Sequence, residues 1–196
     1  MADLIIILDE SGSMEASLGK EALGAVNSFI NDQKGLVPDS KLSFWKFNNK
    51  ATQLLDCVPL DDVSEITDYH PCGGTALHDA IGMAITKMKD HTNVTVLIVS
   101  DGQENASQEF RGKVKEMVEQ KKQWKFIYIG ANQNSMVEGE SVGIKNCCDV
   151  AKGELGRLSR QLSERVGEYR PRSQTQSNAP PPLITRQVAK GASFDN

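Results

Sequence analysis

The sequence leads to an α/β fold, doubly wound about a mostly parallel sheet with helices on both faces and one antiparallel edge strand. Asp3 to Leu8, Val94 to Val99 and Trp124 to Ile129 are short, dominantly apolar runs, as expected of strands covered on both faces. The segments between them carry apolar residues at helical spacing, so strands and helices alternate along the chain. Leu42 to Phe47 alternates apolar and polar residues before Asn48-Asn49, the mark of a hairpin that adds one antiparallel strand at a sheet edge. At 196 residues, 39% hydrophobic and 24% charged, the chain has the size and balance of a globular domain.

Asp3 to Leu8 is therefore the first, central strand. Leu18, Ala22, Ala25, Val26, Phe29 and Ile30 predict a helix over Ser17 to Gln33, closed by the Gly35/Pro38 turn. Leu42 to Phe47 and Ala51 to Val58 form the hairpin, and Asp61 to Ile66 is a weak helical piece. Gly73-Gly74 opens a helix over Thr75 to Lys89, with Leu77, Ile81, Ala84, Ile85 and Met88 on one face. After the Val94 to Val99 strand, Ser107 to Lys122 reads as an amphipathic helix and Trp124 to Ile129 as another buried strand. Ser135 to Val142 is a short helix, Cys147 to Val150 a short edge strand, and Glu154 to Tyr169 a closing helix on Leu155, Leu158, Leu162 and Val166. Residues 1–169 thus form the domain. Residues 170–196 form an arm without periodicity that holds Pro180-Pro181-Pro182 and four basic residues, Arg170, Arg172, Arg186 and Lys190, against Asp195 alone.

Composition excludes several functions. A net charge of −4 supplies no pull toward nucleic acid or anionic lipid. No apolar run is long enough to cross a bilayer, and the start meets an acid too early for a signal peptide, so a cytoplasmic location is expected. Cys57, Cys72, Cys147 and Cys148 form no C-x-x-C pair and are expected as reduced thiols. His70, His78 and His91 lack metal-ligand spacing. Trp45 and Trp124 lie in strands and are expected in the core.

Three junctions share one chemistry: Asp9-Glu10-Ser11-Gly12-Ser13, Gly73-Gly74-Thr75 and Ser100-Asp101-Gly102. Two follow strands and one precedes a helix. In open α/β sheets ligands bind beyond the carboxyl ends of the strands, so the three segments are expected to converge in one crevice. Helix capping is the ordinary role for Asp and Ser after a strand, and it explains one such junction but not the spacing of all three. Glu10 and Glu104 read as loop acids.

Asp9, Ser11, Ser13, Thr75 and Asp101 match, in chain order, the D-x-S-x-S, distant Thr and distant Asp of the metal-ion-dependent adhesion site, and on them the chain resembles the von Willebrand factor type A family. The resemblance spans roughly residues 3 to 168. Phe126 to Asn132 is similar to small stand-alone members from bacteria and phages. It implies a divalent cation, Mg²⁺ with Mn²⁺ or Ca²⁺ as alternatives, held by the hydroxyls of Ser11, Ser13 and Thr75. The carboxylates of Asp9 and Asp101 then act largely through water or those hydroxyls. Mg²⁺ favours near-octahedral oxygen and keeps several waters, which leaves a position for an Asp or Glu of a partner protein. Gly12, Met14, Gly74 and Gly102 are expected at the rim, with Tyr69 and His70 beside them; Gly12, Gly73 and Gly74 permit tight turns.

Three functions compete. The first is a metal-dependent protein-binding module without enzymatic activity. The second is a structural or assembly protein, such as a phage particle component within a virion, that uses residues 170–196 as its contact. The third is a metal-dependent hydrolase with Asp9 as nucleophile. Against the last, position 11 is Ser where such enzymes place a second Asp, and no phosphate loop is present.

Overall fold

A computed structural model describes residues 3–36, 39–131, 135–151, 153–157, 160 and 163. Its sheet has six strands in the order β3-β2-β1-β4-β5-β6: β1 (Asp3–Asp9), β2 (Lys41–Phe47), β3 (Ala51–Pro59), β4 (Val94–Ser100), β5 (Lys125–Ala131) and β6 (Cys147–Val150). Every neighbouring pair is parallel except β2 and β3. This is the doubly wound α/β fold with one antiparallel edge strand that the apolar runs and the hairpin predicted.

Strand parity sorts the core into two layers. Leu4, Ile6 and Leu8 of β1, with Leu97 and Val99 of β4, pack under α1 (Ser13–Ser17) and α2 (Lys20–Leu36). Ile5 and Ile7, with Val96 and Ile98, pack under α3 (Leu77–Lys87), α4 (Val114–Gln120) and the segment after α5 (Ser135–Ser141). β1 is sealed on both faces, and the register Leu8↔Val99 beside Asp9↔Phe47 makes β1, β2 and β4 finish at one edge. Trp45 and Trp124 are buried, as expected, and all four cysteines are free.

Local signals moved several boundaries. The helix expected over Ser17 to Gln33 is two helices, because Gly19 takes a positive φ of +50° and its N–H returns to the Met14 carbonyl, ending α1. The helix expected over Ser107 to Lys122 is confined to α4. The Asp79 carboxylate accepts the N–H groups of Gln108, Glu109 and Phe110 at 2.9, 3.0 and 2.9 Å, which holds the preceding stretch as turns. The weak piece at Asp61 to Ile66 reduces to a 3₁₀ turn at Leu60–Asp62. The helix expected from Thr75 begins at Leu77, leaving Thr75 in the loop.

Of the closing helix expected over Glu154 to Tyr169, residues 155–157, 160 and 163 are helical; the rest, and the arm at 170–196, lie outside the described residues. The Glu21 carboxylate of α2 accepts the N–H groups of Gly153 and Leu155, and Ser163 donates to Asp32 at 3.1 Å, tying this segment to α2. Among the described residues no helix is long and apolar enough to cross a membrane.

One side chain fastens α2 to the long loop that leads to the functional edge. Buried Asn27 donates to the Ile66 carbonyl and accepts the Ile66 N–H, both at 2.9 Å. Asn27→Ala strands both backbone groups, and urea denaturation is expected to show a loss of about 2–4 kcal/mol. A loss below about 0.5 kcal/mol, the range of an ordinary surface substitution, would show instead that water replaces the amide.

Candidate metal centre

Asp9, the last residue of β1, is fully buried. Its parity directs it to the α3 face of the sheet, and the last residue of β4, Ser100, points to the same face. Ser100 donates to Asp9 Oδ2 at 2.5 Å, and the Ser11 N–H donates to Oδ1 at 2.7 Å. The chain then turns so that Ser11 Oγ and Ser13 Oγ lie 3.1 Å apart, and Ser13 donates to Asp101 Oδ1 at 2.8 Å. Ser17, at the end of α1, donates to the other oxygen, Oδ2.

Thr75 completes the cluster. A Cβ placed on Gly102 would stand 2.9 Å from Thr75 Oγ1 and 3.4 Å from Ser13 Oγ, so the two hydroxyls face one backbone position that only glycine leaves open. Gly12 N–H donates to the Gly73 carbonyl at 3.1 Å, joining the first loop to the second. The structure therefore brings Asp9, Ser11, Ser13, Thr75 and Asp101 to one place, with Gly12, Gly74 and Gly102 around them. Met14 is not at the rim. It is fully buried in the core beneath α2, because α1 turns its apolar side inward. Tyr69 is also buried, its hydroxyl donating to the Asp9 carbonyl at 2.9 Å, whereas His70 is exposed.

Two asparagines missed in the sequence hold the Thr75 loop. Asn49 Oδ1 accepts the Gly74 N–H at 2.6 Å, and Asn105 Oδ1 accepts the Thr75 N–H at 2.9 Å. A Cβ on Gly74 would stand 2.7 Å from the Asn105 oxygen and 2.9 Å from that of Asn49. The available signal was the Gly73-Gly74 pair itself, since adjacent glycines mark close approach by other groups. Asn48-Asn49 signals a turn in the sequence, and that reading hides its second task.

The acids next to the cluster are occupied elsewhere. Glu10 accepts Lys46 Nζ at 3.0 Å and the His70 N–H at 2.5 Å. Burial works against the Lys46 charge, but hydrogen bonds to Asp68 and Glu10 outweigh it and raise the ammonium above its ordinary value. Glu104 accepts the N–H groups of His78 and Ser107 and the Ser107 hydroxyl, shaping the loop after Asp101. Among the described residues no group of three His, Cys, Asp or Glu side chains is placed to hold a metal; the oxygens gathered here are mainly hydroxyls.

The donor set fits Mg²⁺. Adjacent oxygens of an octahedron about 2.1 Å in radius lie about 3 Å apart, which is the Ser11–Ser13 hydroxyl separation. Because Ser13 gives its proton to Asp101, Ser11 is the donor in the Ser11–Ser13 contact, and a cation would take the place of that proton between the two oxygens. Burial pushes the Asp9 carboxyl up to about 6, against the lowering effect of the Ser100 and Ser11 hydrogen bonds, and the neighbouring Asp101 charge adds to the rise.

A carboxyl that holds its proton more tightly folded than unfolded stabilises the fold fully below its unfolded value of 3.8, and that contribution is lost as pH rises through about 6. In EDTA, wild type is expected to lose up to about 3 kcal/mol relative to Asp9→Asn between about pH 4 and about pH 7. Denaturant unfolding of both chains at the two pH values measures this; a difference that does not change with pH contradicts it.

No family model matches the chain, and no curated protein matches its sequence. Solved structures do. The von Willebrand factor type A protein from Catenulispora acidiphila is 12% identical with a TM-score of 0.63, covering 83% of this chain and 42% of that one. The ArnB paralog VWA2 from Sulfolobus acidocaldarius is 19% identical with a TM-score of 0.63, covering 83% and 44%. The vWF domain of the type V pili tip protein Mfa5 from Porphyromonas gingivalis is 11% identical with a TM-score of 0.69, covering 88% and 97%. This chain spans less than half of the first two and nearly all of the third. At such identities the likeness is one of architecture, and the chain has the fold of von Willebrand factor type A domains.

Proposed function

We propose that this chain is a metal-dependent protein-binding module that holds Mg²⁺ among Ser11, Ser13, Thr75, Asp9 and Asp101 and uses it to grip an Asp or Glu of a partner protein. The observation that carries the reading is the meeting of hydroxyls from separate loops beside Gly102, backed by two carboxylates. The bound cation supplies a strong electrophile with an exchangeable position for an external carboxylate. The protein's own groups prepare that position. Ser11, Ser13 and Thr75 offer neutral oxygens, so the ion keeps its charge for the partner. Asp9 and Asp101 balance it from behind, each engaged by hydrogen bonds from Ser11 and Ser100 or from Ser13 and Ser17.

The reading favours binding over turnover because Asp9, the acid that would have to serve as a hydrolase nucleophile, is fully buried. The Mfa5 domain, part of a pilus tip protein by its description, is support by analogy of fold alone.

Mg²⁺ or Mn²⁺ at a hundredfold excess over its dissociation constant is expected to stabilise the chain by about 2.7 kcal/mol. Ser11→Ala, Thr75→Ala and Asp101→Ala should abolish that shift while still unfolding cooperatively in EDTA. Capture of partner proteins on the immobilised full chain should occur in Mg²⁺ and fail in EDTA or with Thr75→Ala. Equal melting temperatures with and without the ion, or undiminished capture in EDTA, would refute the proposal.

A further inference from the structure

The D-x-S-x-S run accounts for Asp9, Ser11 and Ser13, but not for a further serine hydroxyl that reaches the cluster, that of Ser17. Ser17 lies one helical turn beyond Ser13 on α1, and residues four apart share a helix face. Their hydroxyls divide one carboxylate between them, Ser13 taking Asp101 Oδ1 and Ser17 taking Oδ2. The bracket that presents them is anchored. Met14, the residue after Ser13 on α1, is fully buried in the core, and the backbone closes at Gly19, whose N–H bonds the Met14 carbonyl.

A carboxylate held at one oxygen can still swing about its Cβ–Cγ bond, whereas one held at both has its plane fixed. With Oδ2 engaged by Ser17, Oδ1 stays on the Ser13 hydroxyl, and the Ser13 lone pairs stay turned into the cluster. Serine inside a helix commonly turns its hydroxyl back to the backbone; the Ser17 hydroxyl lies 3.4 Å from the Met14 carbonyl and also reaches Asp101, 84 residues away.

We propose that Ser17 is a positioning residue of the metal centre: it fixes the Asp101 carboxylate through Oδ2 and so sets cation affinity without touching the cation. The proposal rests on the metal-binding reading above and adds to it a residue outside the five of the motif.

The test is a Mn²⁺ titration of the full chain by calorimetry and by electron paramagnetic resonance, comparing wild type, Ser17→Ala, Ser17→Thr and Thr75→Ala, with melting of each in EDTA. Ser17→Ala is expected to weaken Mn²⁺ binding about tenfold or more, with its melting temperature in EDTA unchanged. Ser17→Thr, which keeps the hydroxyl, should restore affinity. Wild-type affinity in Ser17→Ala overturns the proposal. So does an affinity loss accompanied by an equal loss of stability in EDTA, since that marks a merely structural role. If wild type binds Mn²⁺ and Thr75→Ala does not while Ser17→Ala binds normally, Ser17 alone is eliminated. If wild type binds no Mn²⁺, the metal reading falls and takes this inference with it.

Discussion

Asp9 carries a carboxylate to a point that water does not reach, and such burial is tolerated only where hydrogen-bond donors or a counter-charge answer it. The surrounding architecture follows from that requirement. β1 is sealed on both faces, so its first polar side chain can appear only where the strand ends. β4 runs parallel beside it in a register that sets Ser100 on the same face, which supplies one donor; the tight turn to Ser11 supplies the second. What remains is a residual cost that keeps the carboxyl protonated to about pH 6 and that a cation would relieve.

The loops around this point are held by side chains gripping backbone rather than by apolar packing. Asn49 and Asn105 take the N–H groups of Gly74 and Thr75, Glu104 takes those of His78 and Ser107, and Asp79 takes three in succession. Each acceptor satisfies a backbone donor that would otherwise compete for water at the edge of the core. The hydroxyls of Ser11, Ser13 and Thr75 are thus presented from loops and a five-residue helix rather than from any long regular element.

Much of this was readable from residue order alone. Dominantly apolar runs locate β1, β4 and β5, because strands covered on both faces can do without regular polar alternation, and the three hydroxyl-and-acid junctions point to one edge once those strands are parallel. What escaped were contacts between residues far apart in sequence. Nothing local to Asn49 distinguishes a turn residue from the clamp on Gly74. Ser17 looked like the start of one long helix, since the break at Gly19 depends on a positive φ that many glycines do not adopt. Nothing local to Met14 separates a rim residue from a core one; the direction of a five-residue helix decides its burial, and that direction is a tertiary matter. The extent of α4 was overstated because the capping power of Asp79 acts from another helix.

The outer hairpin has a bearing on how the molecule behaves in crowded solution. β3 is out of step with β2 between Leu42 and Trp45, and the extra residues include Cys57 at a φ of +50°, whose N–H is taken up by the Ser43 hydroxyl at 3.1 Å. A strand interrupted in this way presents no long, even row of donors and acceptors on its free side. At this edge of the sheet a neighbouring molecule thus meets a poorer template for stacking edge to edge.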